Sequence, residues 1–540
     1  MEETNKTENS FTLPSLVATW SIPSEGTDDH QFYDVKFCPY FNGEDDYPVF
    51  AIVGCREVLI CGTRTDYQGL MDMNYILRDQ EVLGSEGLPI LNTCSWAYID
   101  RADPLLAVSG SGGQIKILDI CSGSLLTTLI GHGAGLINDL VTHPIYPWIL
   151  ASASIDESIR IWDLRRWNDK YESPCIIICG QSHGHRQGLL SIAWHISGRY
   201  IVSGAHDNAV CLWTIPDLSD ASDFWVSISP AARKSKSEAV HVVQYPHFVT
   251  AAVHSDYVDC VCFFGDMILS KAASDPEAKN EIVLWEITGF DSKLPPPSPD
   301  SAPKTQAYKE TRSSFNCHQE NPHSNSTAAS SSDFPLWTQH LTFSLPSTPY
   351  FYQRFGLLTP SSSHPTLHSV LTCGTASAQI LTWDLTRLRL GHTFSQPTLP
   401  LGPRPKHETY IEHTKKHSKK SVPPLRNSTP LRHPLGSTSS FTPDPSSPAP
   451  QSHPDRELYP LSSPFTPLKA HKTIKLPLDR DARTTFHAVS WSACGRFCVV
   501  VGEGYVFEVE EKKGKGKAKG KADGGVNTKT AQAALLARWV

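Results

Sequence analysis

The sequence predicts an all-β chain folded as a seven-bladed β-propeller with long disordered loop insertions. Three observations carry that expectation. A unit with a Gly-His pair near its start and a Trp-ended strand at its close recurs along the chain. Short runs alternate apolar with polar residues, as half-buried strands do. The 41 Pro among 540 residues gather with Ser and His in two windows, which leaves the remainder free to form strands.

Taken in order, residues 1–14 are expected to be disordered, and LVATWSI over residues 16–22 has the strand character needed to close the ring by pairing into the last blade. A large residue ending the strand before each inner hairpin marks seven units: Phe37, Trp96, Val141, Trp194, Phe263, Phe343 and Trp491. The matching later strands are GCREVLICGTR, GGQIKILDI, SIRIWDL, NAVCLWT, NEIVLWEI, AQILTWDL and EGYVFEVEE. The markers stand further apart than the roughly 40–45 residues of the repeat, most of all toward the end of the chain, and the excess locates the insertions. The expected organisation is therefore blades one to five with the closing strand over 15–290, a disordered insertion over 291–333 and blade six over 334–390. A second disordered insertion follows over 391–480, then blade seven over 481–510 and a Lys-rich tail over 511–540. Neither insertion buries enough apolar surface to offset the entropy of ordering it.

Two tandem units show the repeat best, and they are of the WD40 type. In the first, Gly131-His132 leads to ILASAS, Asp156 and Trp162-Asp163; in the second, Gly184-His185 leads to Asp207 and Trp213. Each Asp lies six residues before its Trp, which implies one turn geometry in both units. His132, Asp156, Trp162 and Asp163, with His185, Asp207 and Trp213, are read as blade-building hydrogen-bond groups, and Trp383-Asp384 as a further copy of the strand end.

The charge of −7 gives no general attraction to nucleic acid, so any DNA contact has to be local, as at KKGKGKAKGK from Lys512. That run reads as a solvated tail, a nuclear-import signal or a phosphate contact. No apolar stretch approaches the roughly 18 residues of a membrane span, and the expectation is a soluble, intracellular protein with no membrane partner. Most of the 14 Cys sit in apolar runs without paired C-x-x-C units, which favours reduced, buried thiols over disulfides or a zinc site. The sequence holds no nucleophile elbow, phosphate loop or H-E-x-x-H in a suitable context. No catalytic residue, metal or cofactor is expected.

Several runs go beyond a generic repeat. NTCSW with DPLLAVSGSGGQIKI, GHGAGLINDLVTHP, GHRQGLLSIAW, and YVDCV with GDMILSK cover most of residues 30–290. Together they resemble the EED (extra sex combs) family of Polycomb proteins. The resemblance implies a nuclear, non-catalytic scaffold of Polycomb repressive complex 2, holding a SET-domain histone methyltransferase of the EZH type and other subunits. It also implies that the opposite face reads trimethylated lysine on the histone H3 tail through an aromatic cage, since ring faces attract quaternary ammonium groups. A WD-repeat adaptor of another complex, such as a ubiquitin ligase substrate receptor or a signalling scaffold, is the competing reading.

Carried over residue by residue, the resemblance puts Tyr33 of YDVKF on one cage wall. Asn92 stands where the family usually has Tyr. The remaining cage pair, Trp-Tyr ahead of a strand ending in Phe-Ser, falls on Trp337 of WTQHLTFS if two residues are skipped, or on Gln339 and His340 if none are. Phe32, Phe334 and Phe486 are the neighbouring substitutes.

Overall fold

A computed structural model describes residues 12–23, 31–40, 48–54, 57–65, 71–77, 90–99, 103–166, 176–179, 184–227, 240–273, 280–302, 311–315, 335–346, 352–361, 363–388, 463–476, 483–508 and 526–538. Their strands form seven sheets of four or five strands, arranged as a seven-bladed propeller. Blade one is Asp34–Phe37, Val49–Gly54, Glu57–Thr65 and Met71–Leu77. Blade two is Leu91–Ala97, Leu105–Gly110, Gln114–Asp119 and Ser124–Ile130. Blade three is Ile137–Thr142, Ile149–Ser154, Ser158–Asp163 and Ile176–Cys179, with His241–Val243 added in parallel outside them. Blade four is Leu189–Trp194, Tyr200–Ala205, Val210–Thr214 and Phe248–Thr250, extended by Arg312–Ser313. Blade five is Val258–Phe264, Met267–Ala272, Glu281–Ile287 and Trp337–Ser344. Blade six is Gly356–Leu358, Val370–Gly374, Gln379–Asp384 and Lys472–Lys475. Blade seven is Arg483–Trp491, Phe497–Glu508, Val526–Ala537 and, outermost, Ser15–Pro23.

The core lies between blades, because each sheet is apolar on both faces. Leu106 and Trp96 of blade two pack on Ala51 and Ile60 of blade one, Trp162 of blade three joins Leu105 and Ile117 of blade two, and so on round the ring. The circuit is completed where Val499 and Leu535 of blade seven meet Val35 and Phe50 of blade one. Burying each such side chain contributes about 1.5–3 kcal/mol, and closing the circle removes the exposed sheet faces an open array would keep.

One irregularity repeats at the same end of the ring. In five blades the inner strand skips one residue when pairing with the next: Asn92, Asn138, Leu190, Asp259 and His487 are each bypassed. A bulge of this kind leaves the extra residue outside the ladder. Blade six is built differently. Its inner strand is only Gly356–Leu358, and residues 352–355 lie ahead of it outside any ladder, hydrogen-bonded to the bulges at Asn138, Leu190 and His487.

Three of the expected boundaries are corrected. Phe343 does not end an inner strand, and WTQHLTFS does not open blade six: Trp337–Ser344 pairs with Glu281–Ile287 as the outermost strand of blade five. Its alternation suited either place, and residues 291–333 intervene inside blade five, between its third and fourth strands. The span 511–540 is not wholly a Lys-rich tail, since Val526–Ala537 is inserted between Phe497–Glu508 and Ser15–Pro23. Ala531, Ala533 and Leu535 pack toward blade one and Ala534 and Leu536 toward blade six, so both faces are apolar and buried. Within the two expected disordered insertions, Pro299–Ser301 form a short turn of 3-10 helix and Arg312–Ser313 a short strand. Lys472–Lys475 completes blade six; most of 391–480, like residues 1–11 and the Lys-rich run from Lys512, lies outside the described residues.

Candidate functional site

The repeated bulges create a need that the segment Tyr352-Gln353-Arg354 meets. Backbone groups released from a ladder must find partners when buried. The Arg354 guanidinium donates to the carbonyl oxygens of Asn138 at 2.6 Å and Leu190 at 2.9 Å, two bulge residues, and to Asp139 Oδ1 at 2.8 Å. The Arg354 amide donates to the carbonyl of His487 at 2.7 Å. The amide of Tyr352 donates to Asp259 Oδ2 at 3.0 Å, and His487 Nδ1 donates to the Tyr352 carbonyl at 3.2 Å. Tyr352 adopts φ of +74°, a conformation costing a bulky residue about 1–3 kcal/mol. The surrounding hydrogen bonds hold it there.

Four side chains meet at this point. The Tyr33 ring stands edge-on to Tyr352 with centroids 6.2 Å apart, and 5.7 Å from the His487 ring. Asn92 Nδ2 donates to Tyr352 Oη at 2.6 Å. That hydroxyl, whose pKa burial pushes well above the usual tyrosine value, keeps its proton and donates it to the Asn138 carbonyl at 3.0 Å. Tyr33 is half-buried while Asn92, Tyr352 and His487 are buried.

The charges beneath are matched. Arg354 faces Asp139, Lys271 Nζ donates to both oxygens of Asp259 at 2.9 and 2.8 Å, and Lys36 lies 3.7 Å from Asp34. Burial alone would lower the Lys36 pKa, but the carboxylates of Asp34 and Asp139 outweigh it and raise it. With acids and bases paired, attraction for a cation here comes from ring faces and carbonyl dipoles. No nucleophile stands beside a base within this group. Among the described residues no three His, Cys, Asp or Glu converge as metal ligands.

Of the residues expected from the sequence, Tyr33 and Asn92 lie here. Tyr352, which the run YFYQRF ahead of a short strand signals, and His487 are additions to them. Trp337 and His340 do not belong to the group. They lie on the outermost strand of blade five, where the Trp337 ring packs edge-on to Trp285 at 5.9 Å and His340 Nε2 lies 3.2 Å from Glu286. Trp337 there lines a shallow groove with Leu336, Pro335 and Phe465. Phe32 and Phe486 are core residues, and Phe334 is outside the described residues.

The repeat residues form separate networks inside single blades. His132 bridges Asp156 at 2.9 Å and Ser152 Oγ at 2.7 Å, and the Trp162 indole donates to the same Ser152 oxygen at 2.9 Å. His185, Asp207, Ser203 and Trp213 repeat this with 3.0, 2.7 and 2.9 Å. Blade five keeps part of it, with His254 and Trp285 on Ser270 at 2.7 and 2.9 Å. In blade six the Trp383 indole turns to the Leu468 carbonyl at 3.2 Å and Asp384 takes His368 at 2.7 Å. Asp163 receives Arg165 at 3.1 Å. These groups are satisfied by one another, a stabilising arrangement that leaves no open valence for a ligand.

Residues 123–163 and 177–214 match the family model for "WD domain, G-beta repeat". The chain is 35% identical over 361 residues to the Polycomb protein EED of Chaetomium thermophilum, a match covering 66% of this chain and 57% of that relative. It is 32% identical over 246 residues to the Polycomb protein esc of Drosophila melanogaster, covering 45% of this chain and 53% of the relative. The matches thus span just over half the length of these curated relatives. Among solved structures, a chain of the Chaetomium thermophilum polycomb repressive complex 2 superimposes with a TM-score of 0.66 at 26% identity, over 98% of both chains. A chain from that complex with H3K27me3 and H3K27M gives 0.67 at 26% identity, again over 98% of both.

Proposed function

The chain belongs to the EED/esc family of Polycomb WD-repeat proteins, and from that premise we propose that it is the non-catalytic propeller subunit of a Polycomb repressive complex 2. In this reading it works in the nucleus as a scaffold. One face holds a SET-domain histone methyltransferase of the EZH type with the other subunits, and the Tyr33–Asn92–Tyr352–His487 site on the bulged end of the ring takes a methylated lysine of the histone H3 tail. The observation that carries the reading is the likeness, over 98% of both chains, to a chain of polycomb repressive complex 2 structures. The site supports the reader role: rings with a charge-balanced floor attract a methylammonium without binding every cation alike.

The test is an inventory of what the tagged full chain retains when purified from nuclei. A SET-domain histone methyltransferase in near-stoichiometric amount is expected. Recovery of ubiquitin ligase or signalling components in its place would overturn the scaffold reading.

A further inference from the structure

We propose that Asn92 sets the methylation state accepted by this site, favouring a lysine that keeps at least one N–H, mono- or dimethylated, over the trimethylated form. The proposal rests on the methyl-lysine reading above and deepens it. Its starting point is the proton inventory at Tyr352. The hydroxyl has one proton, and the Asn138 carbonyl receives it at 3.0 Å. Toward Asn92 the hydroxyl is therefore an acceptor, which fixes the Asn92 amide with Nδ2 on Tyr352 at 2.6 Å. With the hydroxyl proton on Asn138, a flipped amide would set two oxygens against each other.

Asn92 Oδ1 is consequently the atom left over. It is buried and has no hydrogen-bond partner among the described residues, in a residue only 5% exposed. His487 Nδ1 is engaged by the Tyr352 carbonyl, the Tyr352 hydroxyl by Asn138, and the two terminal Arg354 nitrogens by Asp139, Asn138 and Leu190, and none of these bonds Asn92 Oδ1. A buried acceptor without a donor is a standing penalty, which a ligand N–H that displaces its cover would relieve.

A monomethylammonium brings two N–H groups and a dimethylammonium one; a trimethylammonium brings none. The trimethyl form would leave Oδ1 facing methyl groups, unpaired in the complex as in the free protein. It also depends most on aromatic faces, and here an amide takes the place of a ring the family usually supplies. The lower states keep the contacts with Tyr33 and Tyr352 and gain a charge-assisted hydrogen bond.

Calorimetry of the full chain with H3 peptides spanning lysine 27, unmodified and mono-, di- and trimethylated, tests this directly. The mono- or dimethylated peptide is expected to bind about tenfold tighter than the trimethylated one, which corresponds to ~1.4 kcal/mol. Asn92→Tyr is expected to invert that order by restoring a ring and removing the acceptor. Trimethyl-lysine bound as tightly as dimethyl-lysine by the unaltered chain would overturn the proposal while leaving the methyl-lysine site standing. Equal binding of the unmodified peptide, or none of any peptide, would remove the site reading and this inference together. The unaltered chain decides the matter even where the variant fails to fold.

Discussion

Replacing Arg354 by Met should cost far more stability than its distance from the blade cores implies. The guanidinium is 7% exposed, bonds Asp139 Oδ1 at 2.8 Å, and satisfies the carbonyls of Asn138 and Leu190 at 2.6 and 2.9 Å. Removing one partner of a buried pair leaves an uncompensated charge and costs about 3–5 kcal/mol. Asp139 keeps one bond, from the Ile192 amide to Oδ2 at 2.9 Å, which limits its share. The Leu190 carbonyl is orphaned and adds about 1–3 kcal/mol at most, while the Asn138 carbonyl keeps the Tyr352 hydroxyl at 3.0 Å, and the penalties overlap. The expected loss is ~4 kcal/mol. The measurement is equilibrium urea unfolding followed by tryptophan fluorescence and circular dichroism, the coincidence of the two curves establishing a single transition. Arg354→Met combined with Asp139→Asn should recover ~2 kcal/mol of the summed single losses, because the stranded charge is gone. A loss below about 1 kcal/mol for Arg354→Met, or additive single variants, would refute the claim that this residue ties the bulges together.

Acid should destabilise the fold before any carboxylate titrates. Burial lowers His143 and His247 to about 4 and His254 to about 3 from an ordinary 6.5. The unfolded chain then binds more protons across that window, and stability falls as pH drops from about 6.5 toward 4, by roughly 2 kcal/mol per residue at pH 5; an equal or higher melting temperature at pH 5 than at pH 7 in the same salt would contradict this. Tyr33→Ala should weaken methylated-peptide binding at least tenfold (~1.4 kcal/mol), whereas Trp337→Ala should leave it unchanged and cost ~2–3 kcal/mol of stability through its lost packing on Trp285; calorimetry beside melting curves separates the two, and the opposite pattern would return Trp337 to the site. Ser203→Ala should cost about 2 kcal/mol, since one hydroxyl serves both His185 and Trp213, and a neutral melting curve would deny that the network is shared. Removing residues 1–23 should bare Val526–Ala537 as an unpaired edge, seen as higher-order species in size-exclusion chromatography; a stable monomer would show that the outermost strand is dispensable.

Strands that carry the repeat's own residues were plain in the sequence. Trp162, Trp213, Trp285 and Trp383 each end an alternating run, because the indole and its hydroxyl or carbonyl partner need that place in the blade. Strands joined to a blade by long intervening segments were not. Trp337–Ser344 and Lys472–Lys475 are each separated from the strand they pair with by a Pro- and Ser-rich stretch, and pattern alone assigns no partner across such a gap. Val526–Ala537 escaped for another reason. Buried on both sides it does not alternate, and AQAALLA is composed of good helix formers. At the site, Tyr33 and Asn92 were legible from the motifs around them. Tyr352 owes its position to hydrogen bonds from bulges in other blades, at Asn138, Asp259 and His487, and no local pattern around residue 352 encodes those.

The pairing of Ser15–Pro23 with Val526–Ala537 makes assembly wait on synthesis. On the ribosome the first of these strands emerges before blade one and its partner only after blade six, so a nascent chain holds blade one with one flank bare while the other blades stack in turn. The hydrocarbon of Val35 and Phe50 stays wet until Val499 and Leu535 arrive to cover it. Chaperone dependence should therefore be greatest after blade six has emerged and before Val526–Ala537 has, while the latch is still open.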